Sequence, residues 1–161
     1  MLRVFQRRVA QPVLDLLRIG ATPHGLAWAL AVGVLVGVNP LLGSTTLLAL
    51  ALAGVFRLNV VASQIGNHVV YPLELLLFPA WIKLGSEIFG TPGIPLNKGA
   101  LMDAVRHHPW ETTRKLWMWE WHALAVWAVC AAIMVPLLQM ALCPVLKRML
   151  DRLHHEPVVE K

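Results

Sequence analysis

The costliest side chain in this sequence is Glu74. It sits in the run from Leu58 to Ile82, 25 residues with no Asp, Lys or Arg and one histidine, His68. An acid at the centre of hydrocarbon costs about 2.5–3.5 kcal/mol on insertion scales, so its presence there suggests work, such as relaying a proton. Lys83, nine residues on, equally places Glu74 near a membrane interface, and both placements stay open. At about 100° per residue, Gln64, Asn67, His68, Tyr71 and Glu74 share a helix sector of about 120°, with Ser63 beside it. Ile65, Val69, Leu73 and Leu76 take the opposite side. A polar stripe on an apolar helix faces a bundle interior or a wet cavity.

Two further features suit an anionic ligand. Arg57, followed by Asn59, closes the preceding apolar run, and the fork of donors on a guanidinium matches a phosphate. The plainer reading of Arg57 is an end-anchor reaching for headgroups. Inside that run the chain reads Val38-Asn39-Pro40-Leu41-Leu42-Gly43-Ser44-Thr45-Thr46. Proline lacks an N–H and clashes with the preceding turn, glycine loosens the chain, and the hydroxyl residues can cap a new helix. A helix broken here would present freed backbone N–H groups. The predicted lipid- or substrate-binding set is therefore Asn39, Pro40, Gly43, Ser44, Thr45, Thr46, Arg57, Asn59, Gln64, Asn67, His68, Tyr71 and Glu74.

Catalytic and metal-binding patterns are absent from the sequence. His107-His108 and His154-His155 are adjacent pairs, not the i, i+4 spacing of a helical metal site, and Glu120 and His122 are isolated. A reaction would need Ser44 or His68 as nucleophile, and neither has a visible partner group. Cys130 and Cys143, 13 residues apart, point about 220° apart on a helix, which suits neither a disulfide nor a shared metal. The reading is a protein that is not an enzyme, with no cofactor and no metal.

The elements that must hold these residues are apolar. Of 161 residues 57% are hydrophobic and 14% charged, with a mean hydropathy of +0.61. That excludes disorder and an ordinary soluble enzyme. The net charge of +5 has no basic stripe interleaved with stacking aromatics, so nucleic acid is excluded as a partner. The expected fold is an all-α integral membrane protein, a single membrane domain over 1–161. Residues 1–19, with Pro12 as a kink, read as an amphipathic interfacial helix, its arginines set for anionic headgroups. Leu26–Phe56 is 31 residues, too long for one span and short for two. It reads as a Pro-broken segment: a re-entrant hairpin or two half-helices. Leu58–Ile82 is the second broken segment.

Residues 91–120 read as a polar connection, with a turn cluster at Gly90–Pro95 and a short surface helix over 99–116 broken around His108-Pro109. Trp110, Trp117, Trp119 and Trp121 gather as an aromatic belt would. Trp121–Leu146 is one further transmembrane helix kinked at Pro136, and 147–161 a basic tail along the surface. Gly33 and Gly37 form a G-x-x-x-G pair, which internal packing explains as well as dimerisation does. Val38-x-Pro40-Leu41 and Val70-x-Pro72-Leu73 hint at an internal repeat. Four N-terminal arginines favour a cytoplasmic N-terminus, and the side of the C-terminus turns on whether the first run crosses or re-enters.

Taken in order, Thr22-Pro23, Gly33-x-x-x-Gly37-Val38-Asn39-Pro40-Leu41-x-Gly43-Ser44-Thr45-Thr46 and Arg57-Leu58-Asn59 resemble the bacterial membrane proteins catalogued as domain of unknown function 2062. The likeness covers about residues 18–90, the family-like core being 20–90; Tyr71-Pro72 stands where the family pattern has Asn-Pro. The resemblance implies a helical protein of the bacterial inner membrane, multi-pass, and supplies no catalytic residues. Related domains joined to glycosyltransferase-like enzymes point by analogy to envelope lipid or glycan metabolism. The expectation is a protein that binds or translocates an anionic lipid or polyprenyl-phosphate carrier. Arg57 would meet the phosphate, the 39–46 break would present N–H groups, and Glu74 would couple a proton. A homo-oligomer is expected, because three segments cannot easily shield the break and the stripe alone. The alternative is a non-catalytic membrane subunit or anchor for an envelope-biosynthesis enzyme.

Overall fold

The computed structural model describes residues 22–41, 43–91 and 98–155, which form six α-helices and no strand. The expected interfacial helix at 1–19, most of the turn cluster and the last residues of the tail lie outside them. Helix α1, Pro23–Val36, starts where Thr22 Oγ1 accepts from Gly25 N at 3.2 Å, with Pro23 in the first turn where its missing N–H costs nothing. Helix α2 is Thr45–Val55, so the first apolar run is two helices with a break over 37–44. The chain folds back through that break. Arg57, Leu58 and Asn59, after α2, line the same small pocket as Thr22, Gly25 and Leu26, and the two helices form a hairpin.

Helix α3, Val60–Val69, is capped by Asn59, whose Oδ1 accepts from Ala62 N at 2.9 Å. It runs parallel to α1. Leu26 shares a core cluster with Ala62 and Leu58 at one end, and Gly37 meets Asn67 and Val70 at the other. The two backbones touch: a Cβ on Gly33 would strike the Ser63 carbonyl, and one on Gly66 would lie 2.6 Å from the Leu30 carbonyl. The Gly33/Gly37 pair therefore packs internally, with Gly66 as its counterpart.

Helix α4, Tyr71–Ile88, leaves α3 at an angle of 67° around Val70. Pro72 cannot donate to the turn before it, so the run bends there instead of continuing as one helix. Helix α5 is Lys98–His107, and α6 runs unbroken from Pro109 to His155, 47 residues with Pro136 and Pro144 inside. The expected interruption at His108-Pro109 is present. Residues 109–120 and the start of the tail, however, belong to this one helix rather than to a connection and a separate surface segment. Helix α6 is antiparallel to α1, with Trp127 opposite Leu35 and Gln139 opposite His24. Helix α4 meets it where Gly85 lies against His122 and Ala123. Over Pro109–Met149, α6 is long and apolar enough to cross a membrane, and α3 with α4 pass the same test as a bent pair. Cys130 and Cys143 are free.

Candidate functional site

The break over 37–44 is stitched on both sides. A helix that ends inside a protein leaves carbonyls and N–H groups to satisfy. Here the carbonyls go to two indoles: Trp127 Nε1 donates to Leu35 O at 3.0 Å, and Trp81 Nε1 to Val38 O at 2.8 Å. The N–H groups are taken locally. Asn39 Oδ1 accepts from Leu41 N at 2.7 Å, the Glu74 carboxylate accepts from Gly43 N, and Ser44 N donates to Leu41 O at 3.1 Å. Gly43, at φ 81°, supplies the left-handed turn that swings its N–H toward Glu74. The expectation of freed N–H groups offered to a ligand is thus corrected for these positions. The Ser44 hydroxyl likewise does not cap α2 but donates back to Leu41 O at 2.7 Å.

Around this break lies a buried polar layer. Asn39 and Ser63 are fully buried, Asn67 is 3% exposed and Glu74 2%. Each keeps one side-chain atom without a partner: Asn39 Nδ2, Ser63 Oγ, Asn67 Oδ1 and Glu74 Oε1. Pro40 and Thr45 are buried with them. Gln64 is half-buried, its Nε2 donating to Thr46 O at 3.3 Å. His68 and Tyr71 depart from the expected stripe. Both are exposed, His68 Nδ1 lying 2.8 Å from Gln64 O in its own helix. The 67° bend falls between Asn67 and Glu74, so no single helical wheel describes the two helices. One chain buries the rest of the stripe by itself, which removes the shielding argument for an oligomer.

A second constellation lies at the other end of the α1–α2 hairpin. Helices α1 and α3, being parallel, both begin here, and their positive dipole ends point the same way. Between them sits a pocket of about 110 Å³ lined by Thr22, Gly25, Leu26, Arg57, Leu58 and Asn59. Arg57 is exposed and holds φ 51°, the sole non-glycine residue at positive φ among those described. Among the described residues no carboxylate pairs with it. Helix α2 separates this pocket from the break by 11 residues, about 16 Å at 1.5 Å per residue. Arg57 and Asn59 therefore cannot share one headgroup with Asn39, Ser44 and Glu74. Asn59 is moreover committed to capping α3.

From the Arg57 end a groove of about 830 Å³ runs along the hairpin between α1, α2 and α6. Its walls are predominantly apolar: Trp28, Leu35 and Val36 from α1, Leu48, Leu52 and Phe56 around α2, and Trp127, Ala131 and Val135 from α6, among others. Leu58 lines both the groove and the Arg57 pocket. The sequence reading missed this groove and the two capping indoles. A signal for the latter existed, since a proline break frees carbonyls and an indole N–H buried in an apolar run must find an acceptor. Of the aromatic belt, Trp110, Trp117 and Trp121 are exposed, whereas Trp119 is buried against Ile82 and Ala123.

Residues 6–155 match the family described as an uncharacterized protein conserved in bacteria (DUF2062). No curated protein and no solved structure matches the chain.

Proposed function

Since the chain belongs to the uncharacterized bacterial family DUF2062, we propose from its geometry that it is a multi-pass protein of the bacterial inner membrane that binds and moves an anionic lipid. The lipid is one with a long apolar chain and a phosphate head, a phospholipid or a polyprenyl-phosphate carrier of envelope metabolism. The observation that carries this reading is the junction of the apolar groove with the Arg57 pocket. A chain lies in a groove lined by apolar side chains, and its phosphate reaches a guanidinium that has no carboxylate partner among the described residues, beside two helix N-termini. Backbone strain kept at Arg57 fits a residue held for a ligand rather than for packing.

Membrane placement has independent support. In the most apolar window of α6, 11% of residues are buried inside the protein, so the rest need an apolar surrounding. Helices α1 and α2, at about 21 and 16 Å, are shorter than a hydrocarbon core of about 30 Å and suit a re-entrant hairpin. The test is native mass spectrometry of the protein extracted in mild detergent, wild type beside Arg57→Gly. A retained phosphate lipid that is lost in the variant is expected; equal retention in both overturns the reading.

A second reading, a non-catalytic membrane subunit of an envelope enzyme, is favoured by the exposed indoles on the N-terminal part of α6, where Trp110 is 81% exposed and Trp117 60%. It predicts another protein in fixed ratio in the same spectra, and no lipid.

A further inference from the structure

The buried polar layer at the break is not used by a lipid bound at the Arg57 end, and its composition is one-sided. Of the unpartnered atoms there, Ser63 Oγ, Gln64 Oε1, Asn67 Oδ1 and Glu74 Oε1 are oxygens, against one nitrogen, Asn39 Nδ2. They come from the break, from α3 and from α4. Asn39 is part of the break, Asn67 Oδ1 lies 3.0 Å from where a Cβ on Gly37 would stand, Ser63 is one turn before Asn67, and Glu74 takes the Gly43 N–H. Among the described residues no Lys, Arg or His forms an ion pair with Glu74. A buried carboxylate with no cation costs several kcal/mol, and each unmet oxygen adds to that.

We propose that this layer is a binding site for a monovalent cation, a proton or a sodium ion. Glu74 supplies the charge, and Asn67 and Ser63 supply neutral oxygens. Carboxylate and amide oxygens are hard donors, suited to an alkali ion or a proton rather than to a soft metal. Unwound backbone between half-helices is where such ions are held in membrane bundles, and the 37–44 break provides it. The Gly43 N–H orients one carboxylate oxygen and leaves Oε1 for the guest. The site stands independently of the lipid reading, because nothing in it touches the groove.

The probe is dicyclohexylcarbodiimide, an apolar reagent that adds covalently to a protonated carboxyl and is kept from adding where a metal ion occupies the carboxylate. Glu74 is flanked along α4 by Leu73, Leu75 and Leu76, all exposed, so an apolar reagent meets this helix directly. Full-length protein in detergent is labelled, with a water-soluble carbodiimide in parallel, and the adduct is placed by peptide mass spectrometry. Labelling at Glu74 that sodium chloride slows several-fold against choline chloride of equal strength identifies a sodium site. Labelling that persists at pH 7, where an ordinary carboxyl is ionised and silent, falls at higher pH and ignores sodium identifies a proton site. Labelling elsewhere, at Glu120 for example, with none at Glu74 from either reagent, or Glu74 labelling indifferent to both sodium and pH, overturns the proposal.

Discussion

Replacing Arg57 by glycine separates two quantities that most substitutions confound. The left-handed conformation at φ 51° costs an L-residue about 1–2 kcal/mol, which glycine does not incur. Glycine forfeits about 0.5–1 kcal/mol through its looser unfolded chain, so Arg57→Gly leaves stability unchanged or raises it by up to about 1.5 kcal/mol. Lipid binding moves the other way. A hydrogen bond to a charged group contributes about 1.5–3 kcal/mol, and every 1.4 kcal/mol is tenfold, so affinity for a phosphate lipid falls by about 10- to 150-fold. Thermal unfolding followed by tryptophan fluorescence in detergent reads the first quantity. Titration with a dioleoyl phosphatidic acid under native mass spectrometry reads the second. Affinity within twofold of wild type would make Arg57 an end-anchor. A stability loss above about 2 kcal/mol would mean that its side chain packs, and the strain argument would fail.

Three other perturbations follow from the packing. Trp127→Phe leaves the Leu35 carbonyl without its donor at a buried helix end, so we expect about 1–3 kcal/mol of destabilisation in the same unfolding assay, with Trp127→Ala worse still. Gly66→Leu drives a side chain into the α1 backbone and should abolish the folded protein in membranes, whereas Gly54→Ala, which meets open space, should leave abundance at the wild-type level. Ala132→Trp fills the groove from an exposed wall position; lipid retention should drop while the unfolding midpoint stays put, and a parallel fall in both would mean that the groove is structural.

What could be read from the sequence was set by local chemistry. The break at 37–44 followed from Asn39-Pro40 and Gly43. The caps at Thr22 and Asn59 went unread, although both are residue types that cap helices. The burial of Asn67 and Glu74 followed from their shared face. Tyr71 failed because a 67° bend re-aims the chain after Val70, and the size of a proline bend is fixed by what packs around it. His68 lies before that bend and failed because the buried face of its helix is the one carrying Ala62, Ser63, Gly66 and Asn67, which His68 does not share. The hairpin also separated Arg57 from the break, a tertiary fact that spacing along the chain does not carry. The groove belongs to the same class, being the space left between three helices far apart in sequence. The length of α6 was misjudged because polar residues at 109–120 resemble a connection, although an exposed helix accepts them freely.

That length has a mechanical consequence. At 1.5 Å per residue, α6 measures about 70 Å, more than twice the thickness of a bilayer's hydrocarbon core. After Pro109 no proline interrupts it until Pro136, so the aromatic outer end and the groove wall at Trp127, Ala131 and Val135 are parts of one rod. A rod pivots as a unit. A force that tilts its outer end moves the groove wall against the hairpin, and the Trp127–Leu35 bond is the rivet that such a force would load first.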